Sequence, residues 1–411
     1  MNYKKIIRYF KKVIKLPIRV VTDTLYDYRA SYYLKRQSNI DRNHIKVGFI
    51  VQMAEVWDKE VDIYNEMKTR KNVDTFLLVV PPFDFANKKN TFSYENNYFI
   101  NNYSEAIKVI NSNGSIIDIN SMKLDYVFYQ RPYDHYLPKG IRSSEVIKNS
   151  RCCYIPYGYS GSDVFNAGNT NLSFFRNISY IFLESDYMKK VFELKFKKRP
   201  MRKYQHIESL GYPCLSQFFE MKQPSEIRNI LWTPRWSYDQ RIGGSHFFEY
   251  KDIIMKIKSD DPDINMVFRP HPLMFEQFIN QGLMDDNEVS IYKDQLKSYD
   301  IEYDSDSIIS CAIQKADLLI TDYSSIIINF FLTGKPIIYC KAEYELNDDY
   351  LQLAEGMYIV DNEKQLINYT KMLINGDDPL KEKRNMIVNE YRKKHLGSEK
   401  RIVDYLLKLY D

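Results

Sequence analysis

Apolar residues follow two rhythms along the chain. Over residues 3–15 they recur at helical spacing. On a wheel of about 100° per residue, Tyr3, Ile6, Ile7, Phe10, Val13 and Ile14 fall within roughly 120°, while Lys4, Lys5, Arg8, Lys11, Lys12 and Lys15 take the other side. Pro17 ends the pattern. After Asn39, short β-rich runs alternate with helical stretches. Lys46–Gln52, Thr75–Val80, Asp125–Gln130, Cys153–Pro156 and Tyr180–Leu183 read as strands, with amphipathic helices such as Trp57–Thr69 and Tyr103–Ser112 between them. A second series begins near Arg228 and comprises Asn229–Thr233, Asn265–Phe268, Asp317–Thr321, Pro336–Tyr339 and Met357–Val360. Such alternation predicts parallel sheets with helical crossovers. Proline and charge replace the apolar pattern at Met221–Ile227, which sets the boundary. The expected organisation is an amphipathic segment over 1–40, an α/β domain over 41–222 and a second over 223–411. The two domains would face each other across a cleft, with ligands beyond the carboxyl ends of the strands. The helical tail after Pro379 would finish the second domain or cross back to the first. No internal repeat or low-complexity tract is evident.

Composition narrows the picture. The 411 residues are 44% apolar and 27% charged, which excludes a disordered or collagen-like chain. With only 14 Gly and 15 Pro, long flexible linkers are not expected. Aromatic residues reach 15%, an excess of amphipathic rings that suits pockets and interfaces. Five cysteines, two of them adjacent at Cys152–Cys153, argue against a secreted disulfide framework and for a reducing compartment. Cys214, Cys311 and Cys340 lack metal-ligand spacing and read as buried small hydrophobes. No run of about 20 uncharged apolar residues is present, so no membrane span is expected.

The net charge of +4 is local, because Met1–Thr22 holds seven basic residues and no acid, leaving the remainder at −3. A basic helix with a segregated apolar stripe fits a peripheral position on an anionic membrane surface. Its apolar residues are periodic and no small-residue cleavage site follows, unlike a secretory signal. A surface helix packed on the main body is the plainer alternative. The acidic remainder offers no second basic stripe for nucleic acid.

Three clusters of candidate chemistry each follow a strand. Ala316–Gly334 runs from a buried strand through Thr321, Asp322, Tyr323, Ser324 and Ser325 into an apolar helix. Hydroxyls and backbone N–H groups at a helix start suit a diphosphate, or one of Asp322, Ser324 and Ser325 simply caps the helix. Phe268–Pro272 (FRPHP) aims Arg269 and His271 out of a strand end. There Arg269 can neutralise phosphate, and His271 can donate a hydrogen bond or shuttle a proton. Loop packing is the alternative role for this histidine. Thr233–Phe247 brings Arg235, Arg241, Gly243, Gly244, Ser245 and His246 after a third strand, as an anion cradle or a solvated loop.

Taken together, NILWTPRW, FRPHP and ITDYSSIIINFFLTGKPIIYC resemble the CDP-glycerol glycerophosphotransferase family of teichoic-acid and capsule synthesis. The resemblance is close over about 180 residues of the C-terminal half and loose before it. It implies a GT-B architecture of two Rossmann-like domains. The implied activity is a membrane-associated enzyme on the cytoplasmic face of the cell membrane. It would move glycerol phosphate, or a related alditol phosphate, from a CDP-activated donor to a hydroxyl of a polysaccharide, teichoic-acid or lipid-linked acceptor, releasing CMP. The family's pyrophosphate-binding positions fall on His271, Thr321, Ser324 and Ser325. The family's Trp-His-Gly motif has no counterpart: at Tyr154–Asp163 (YIPYGYSGSD), Tyr157 precedes Gly158 where the histidine would stand. Asp163 can replace it as the proton acceptor and Tyr157 can orient the acceptor hydroxyl. A Gly/Tyr-rich turn without a catalytic role is the other reading. No cofactor is expected to be required. Asp304 and Asp306 have a spacing that can hold Mg²⁺, although acidic loop residues are usually solvated. The rival functions are a glycosyltransferase using a nucleotide-sugar and a non-catalytic scaffold on the membrane surface.

Overall fold

A computed structural model describes residues 20–37, 43–84, 89–91, 93–166, 170–242, 244–306 and 309–408. The amphipathic helix expected over residues 3–15 lies outside the described residues. A helix does occupy 20–35. Among the described residues no helix is long and apolar enough to cross a membrane.

The chain divides into two compact units. Unit 1 comprises 1–157, 168–212 and 399–411, and unit 2 comprises 158–167 and 213–398. These units differ from the expected 41–222 and 223–411. Residues 158–167 and 213–222 join the second unit, and the final helix returns to the first. That return is fixed within unit 1 by Tyr126 Oη donating to the Leu406 carbonyl at 3.0 Å and by an Arg70–Asp404 ion pair at 2.9 Å.

Unit 1 is built on seven parallel strands: β1 (Ile45–Val51), β2 (Val73–Val79), β5 (Ala106–Lys108), β6 (Tyr126–Tyr129), β7 (Arg151–Tyr154), β8 (Tyr180–Phe182) and β9 (His206–Glu208), in the order β5-β2-β1-β6-β7-β8-β9. A separate two-stranded ribbon joins β3 (Phe83–Asp84) and β4 (Lys89–Asn90). The inner strands β1, β6 and β7 are almost wholly buried, as expected for a parallel sheet covered on both faces. All five strands expected in this half are present within two residues. Tyr103–Ser112, expected as a helix, instead carries β5. The Trp57–Thr69 segment is a 3₁₀ turn (Ala54–Lys59) followed by a helix (Val61–Lys68).

Glu60 stands at that break with both carboxylate oxygens buried, and among the described residues neither oxygen has a hydrogen-bond partner. Burial pushes its carboxyl up to about 8. Asp62 is raised to about 6 by burial first and then by Glu399 and Asp58. Folding at pH 7 therefore obliges Glu60 to take up a proton, costing up to about 3 kcal/mol. Stability from this group is greatest below pH 4.5 and falls as pH rises towards 8. Glu60→Gln should accordingly raise the melting temperature at pH 7.5, by an equivalent of roughly 1–3 kcal/mol, and change it little at pH 4.5. Parallel thermal melts at the two pH values check the sign.

Unit 2 contains β10 (Asn229–Thr233), β11 (Asn265–Phe268), β12 (Ile301–Tyr303), β13 (Leu318–Thr321), β14 (Ile337–Cys340) and β15 (Tyr358–Val360). All are parallel, in the order β12-β11-β10-β13-β14-β15. Connection direction reverses between β10 and β13, the topological switch point at which such sheets bind ligands. Trp232 of β10 stacks on Phe247 at 5.9 Å and meets Phe268 of β11 at 5.0 Å. This aromatic core seats the helix Phe247–Asp260 and brings its first residues to the carboxyl end of β10. Behind β13, the buried Lys335 donates to the carbonyls of Ile313, Gln314 and Ala316, and so closes the helix Ile309–Lys315. Cys214 and Cys340 are buried as expected, and Cys152 and Cys153 are buried too, whereas Cys311, expected to be buried, is exposed because it lies on the open face of that helix.

Candidate functional site

The three strands that carry the candidate clusters, β11, β10 and β13, are adjacent, so all three clusters emerge at one edge of unit 2. Asp322, directly after β13, organises the loop after β10. Its carboxylate is 2% exposed and accepts from the Arg235 amide at 2.8 Å and the His246 amide at 3.2 Å. It also meets His246 Nδ1 at 2.8 Å and Ser245 Oγ at 3.4 Å. An internal anion thus occupies the start of the helix Phe247–Asp260. Burial pulls the His246 imidazole down, but its hydrogen bond to Asp322 and the Asp322 charge together raise it above the ordinary histidine range.

Arg235 is steered onto Tyr323: its Nη1 donates to the Tyr323 carbonyl at 2.5 Å, and the guanidinium lies 5.0 Å from the ring centroid. His271 follows β11, and its backbone N–H donates to the Pro234 carbonyl at 3.1 Å. Its Nδ1 accepts the Leu273 amide at 3.2 Å, which leaves the proton of the neutral ring on Nε2. Burial, followed by the charge of Arg235, holds the ring down at about 4. His271 is therefore a neutral hydrogen-bond donor near pH 7. Ser324 is half-buried and Ser325 is exposed at the head of the helix Ile326–Phe331. Ser325 occupies the N-cap position but makes no side-chain capping bond, so capping does not account for its hydroxyl.

Other expected ligands are engaged inside the protein. Arg269 turns towards β12: Nη1 pairs with Asp304 at 2.5 Å and Nη2 donates to the Asp306 carbonyl. That pairing also occupies one of the two acids considered for Mg²⁺. Among the described residues no group of three His, Cys, Asp or Glu side chains is placed to hold a metal ion. Thr321 is fully buried, and its hydroxyl is bonded to that of Thr233 on β10 at 2.7 Å. Ser245 is fully buried, and Gly244 packs against the Gln240 side chain, where an added Cβ would lie 2.1 Å from Gln240 Oε1. Gly243 lies outside the described residues. Arg241 is exposed and paired with Asp239. The candidate anion ligands therefore reduce to His271, Ser324 and Ser325, with Arg235 beside them on the Tyr323 carbonyl and ring.

The 158–167 loop belongs to this unit. Gly161 N–H donates to Tyr323 Oη at 2.9 Å, and its carbonyl accepts the Asn347 amide at 2.9 Å. Ser162 Oγ donates to the Glu345 carbonyl at 2.8 Å. An added Cβ at Gly161 would lie 2.6 Å from the Tyr350 ring, so only glycine permits this approach. The latch holds Asp163, an exposed carboxylate that accepts from Asn166 Nδ2 at 2.7 Å, in the same unit as these candidate ligands.

A family model described as CDP-Glycerol:Poly(glycerophosphate) glycerophosphotransferase matches residues 160–408, well over half of the chain. The chain belongs to this family. No curated protein sequence matches it significantly. Among solved structures, UDP-GlcNAc 2-epimerase from Neisseria meningitidis bound to UDP-GlcNAc is similar at a TM-score of 0.57 and 14% identity, over 89% of this chain and 100% of that one. The wall teichoic acid polymerase TagF is similar at a TM-score of 0.52 and 15% identity, over 98% and 97%. At these identities the likeness is one of fold, and that fold is GT-B. The protein is thus a CDP-glycerol glycerophosphotransferase-like enzyme of two Rossmann-like units.

In this family member, unit 1 has its own polar strand-end cluster. Gln130, after β6, accepts the Gln52 and Met53 amides at 2.7 and 3.0 Å, and Arg131 Nη2 donates to Gln52 Oε1 at 2.6 Å. Tyr157 Oη lies 2.9 Å from Tyr133 Oη. Burial, with Tyr133 second, pushes the Tyr157 phenol above its ordinary value. Tyr157 and Asp163, six residues apart, fall in different units. Arg131 and Tyr133 were missed in the sequence. Their signal was the QRPY run, which repeats the strand–Arg–Pro pattern of FRPHP.

Proposed function

We propose that the enzyme transfers glycerol phosphate, or a closely related alditol phosphate, from a CDP-activated donor to an acceptor hydroxyl on a cell-surface polysaccharide, teichoic acid or lipid-linked precursor. The observation that carries this reading is the convergence of Arg235, His271 and the Ser324–Ser325 hydroxyls at the ends of three adjacent strands. Arg235 supplies positive charge, and His271 Nε2–H and the serine hydroxyls supply donors, for the two phosphates of the donor. The acceptor oxygen forms a bond to the β-phosphorus, the bond from that phosphorus to the bridging oxygen breaks, and CMP departs. Asp163 takes the acceptor proton. Tyr157, with Tyr133 and Arg131, orients the acceptor. Alignment and charge stabilisation provide the acceleration, and no cofactor is required.

The enzyme works peripherally at the cytoplasmic face of the cell membrane. Two features support this placement. Seven basic residues occupy Met1–Thr22. On the helix at 20–35, Val21, Leu25, Tyr28 and Tyr32 are each more than half exposed and fall within about 60° on a wheel. Lys35 and Arg36 border this stripe, a combination suited to an anionic interface.

A donor screen tests the function. CDP-glycerol, CDP-ribitol and UDP-sugars are incubated with the enzyme and a teichoic-acid-type acceptor, and the products are weighed by mass spectrometry. CMP release with gain of an alditol phosphate on the acceptor is expected. UDP release from a UDP-sugar, or no turnover with any CDP-alditol, overturns the reading.

A further inference from the structure

Unit 1 contains a cavity of about 410 Å³ between the helix at 20–35 and the segments 134–147 and 173–177. This is within the size range of small-ligand sites. Arg29, Arg142 and Arg176 line it, with Tyr26, Tyr33 and Asn177. Arg176 is 4% exposed and fixed in place: Nη2 donates to Asp23 at 2.7 Å, Nε pairs with Asp27 at 3.3 Å, and the guanidinium lies over Tyr26. Arg142 differs. Its Nε donates to the Leu137 carbonyl at 2.9 Å, and among the described residues its guanidinium forms no ion pair with a carboxylate. Arg29 meets Glu145 at 3.8 Å with both side chains well exposed, a pairing of little strength. The carboxylate in the wall, Asp134, accepts from Ser143 N and Oγ at 2.9 and 2.6 Å.

The wall therefore holds three guanidinium groups against one carboxylate of its own, Asp134, on which the charge of Arg142 acts without a direct ion pair, while Arg29 is held only by its exposed contact with Glu145. Planar forks of this kind recognise phosphate oxygens in pairs. Their position adds a second argument. On the helix at 20–35, Arg29, Tyr33 and Tyr26 occupy the flank between the exposed stripe and the buried residues Asp27, Ala30 and Leu34. The cavity thus borders the surface read above as lipid-facing.

We propose that this cavity binds the phosphate or diphosphate group of an anionic ligand, supplied by a lipid headgroup or by a soluble phosphate compound, at a site separate from the strand ends of unit 2. The lipid source rests on the membrane reading, whereas the cavity itself does not.

Two measurements on the full chain separate these parts. Inorganic pyrophosphate is titrated calorimetrically into the wild type, Arg29→Gln, Arg142→Gln, the double variant and Arg235→Ala. Equal melting temperatures would certify folding, and Arg29→Gln, on the exposed helix flank, remains informative should Arg142→Gln fold poorly. Weakening of one binding event by at least fivefold in the Arg29 or Arg142 variants, with that event unchanged in Arg235→Ala, is expected. Unaltered titrations in well-folded Arg29 and Arg142 variants overturn the site. In the second measurement, flotation compares phosphatidylcholine vesicles carrying phosphatidic acid with vesicles of equal surface charge carrying phosphatidylglycerol. Preference for the phosphate monoester, lost in Arg142→Gln while binding to phosphatidylglycerol persists, identifies the lipid source. Arginine-dependent pyrophosphate binding without that preference supports the cavity with a soluble ligand. Failure to float on any anionic vesicle removes the membrane reading and leaves the titration to decide the cavity.

Discussion

Asp322→Ala should lower kcat/KM with the CDP-activated donor by a hundredfold or more and destabilise the enzyme by about 3 kcal/mol, as expected when one partner of a buried charged pair is removed. The carboxylate fixes the Arg235 amide, the His246 amide and the His246 ring simultaneously. Without it, the loop that delivers Arg235 loses its anchor, and His246 stays largely buried without its counter-charge. The pair also predicts a pH dependence. Because the folded state raises His246 above its ordinary value, the stability it contributes is complete below pH 6.5 and is lost as pH rises through the raised value. Asp322→Asn keeps an acceptor but lacks the charge, so it should fold better than the alanine variant while losing this pH-dependent part. Denaturant titrations between pH 5.5 and 8.5, with initial rates at each pH, test both statements. An alanine variant with wild-type kcat/KM would show that Asp322 does not position the site.

The inner strands were legible because a parallel strand covered on both faces is a continuous apolar run, as in NILWT and LLIT. Within the two parallel sheets, the three strands not recognised, AIK, HIE and IEY, all lie at edges, where solvent accepts polar residues and the apolar run disappears. The misreading of Tyr103–Ser112 as a helix has the same origin. At the site, the strand ends could be located but the internal pairings could not. Arg269 with Asp304, Thr321 with Thr233, and Asp322 with His246 join residues 35, 88 and 76 positions apart. Each motif offered several polar side chains, and only folding decides which are bonded internally. Nor does local sequence indicate that 158–167 leaves the unit preceding it, because that excursion depends on Tyr323, Tyr350 and Asn347 far along the chain.

His271→Ala is expected to reduce kcat/KM by about a hundredfold or more, the scale for removing a hydrogen-bond donor that stabilises developing charge, with the effect mainly in kcat. The Leu273 amide occupies Nδ1, and the ring is held down at about 4, so His271 enters the reaction as a neutral Nε2–H donor and not as a base. The rate of the free enzyme should consequently show no break near pH 6.5 attributable to this residue. Stability behaves separately. A histidine whose folded value is depressed contributes stability that is present above pH 6.5 and is lost as pH falls towards 4, a change of up to about 3 kcal/mol for a largely buried ring. The alanine variant should therefore be nearly inactive yet less acid-labile than the wild type, a separation that a purely structural role for the loop would not produce. Rate profiles from pH 5 to 9 and thermal melts at pH 5 and 8 provide the comparison. A wild-type inflection near 6.5 that vanishes in the variant would instead assign His271 to proton transfer, and near-normal turnover would remove it from the site.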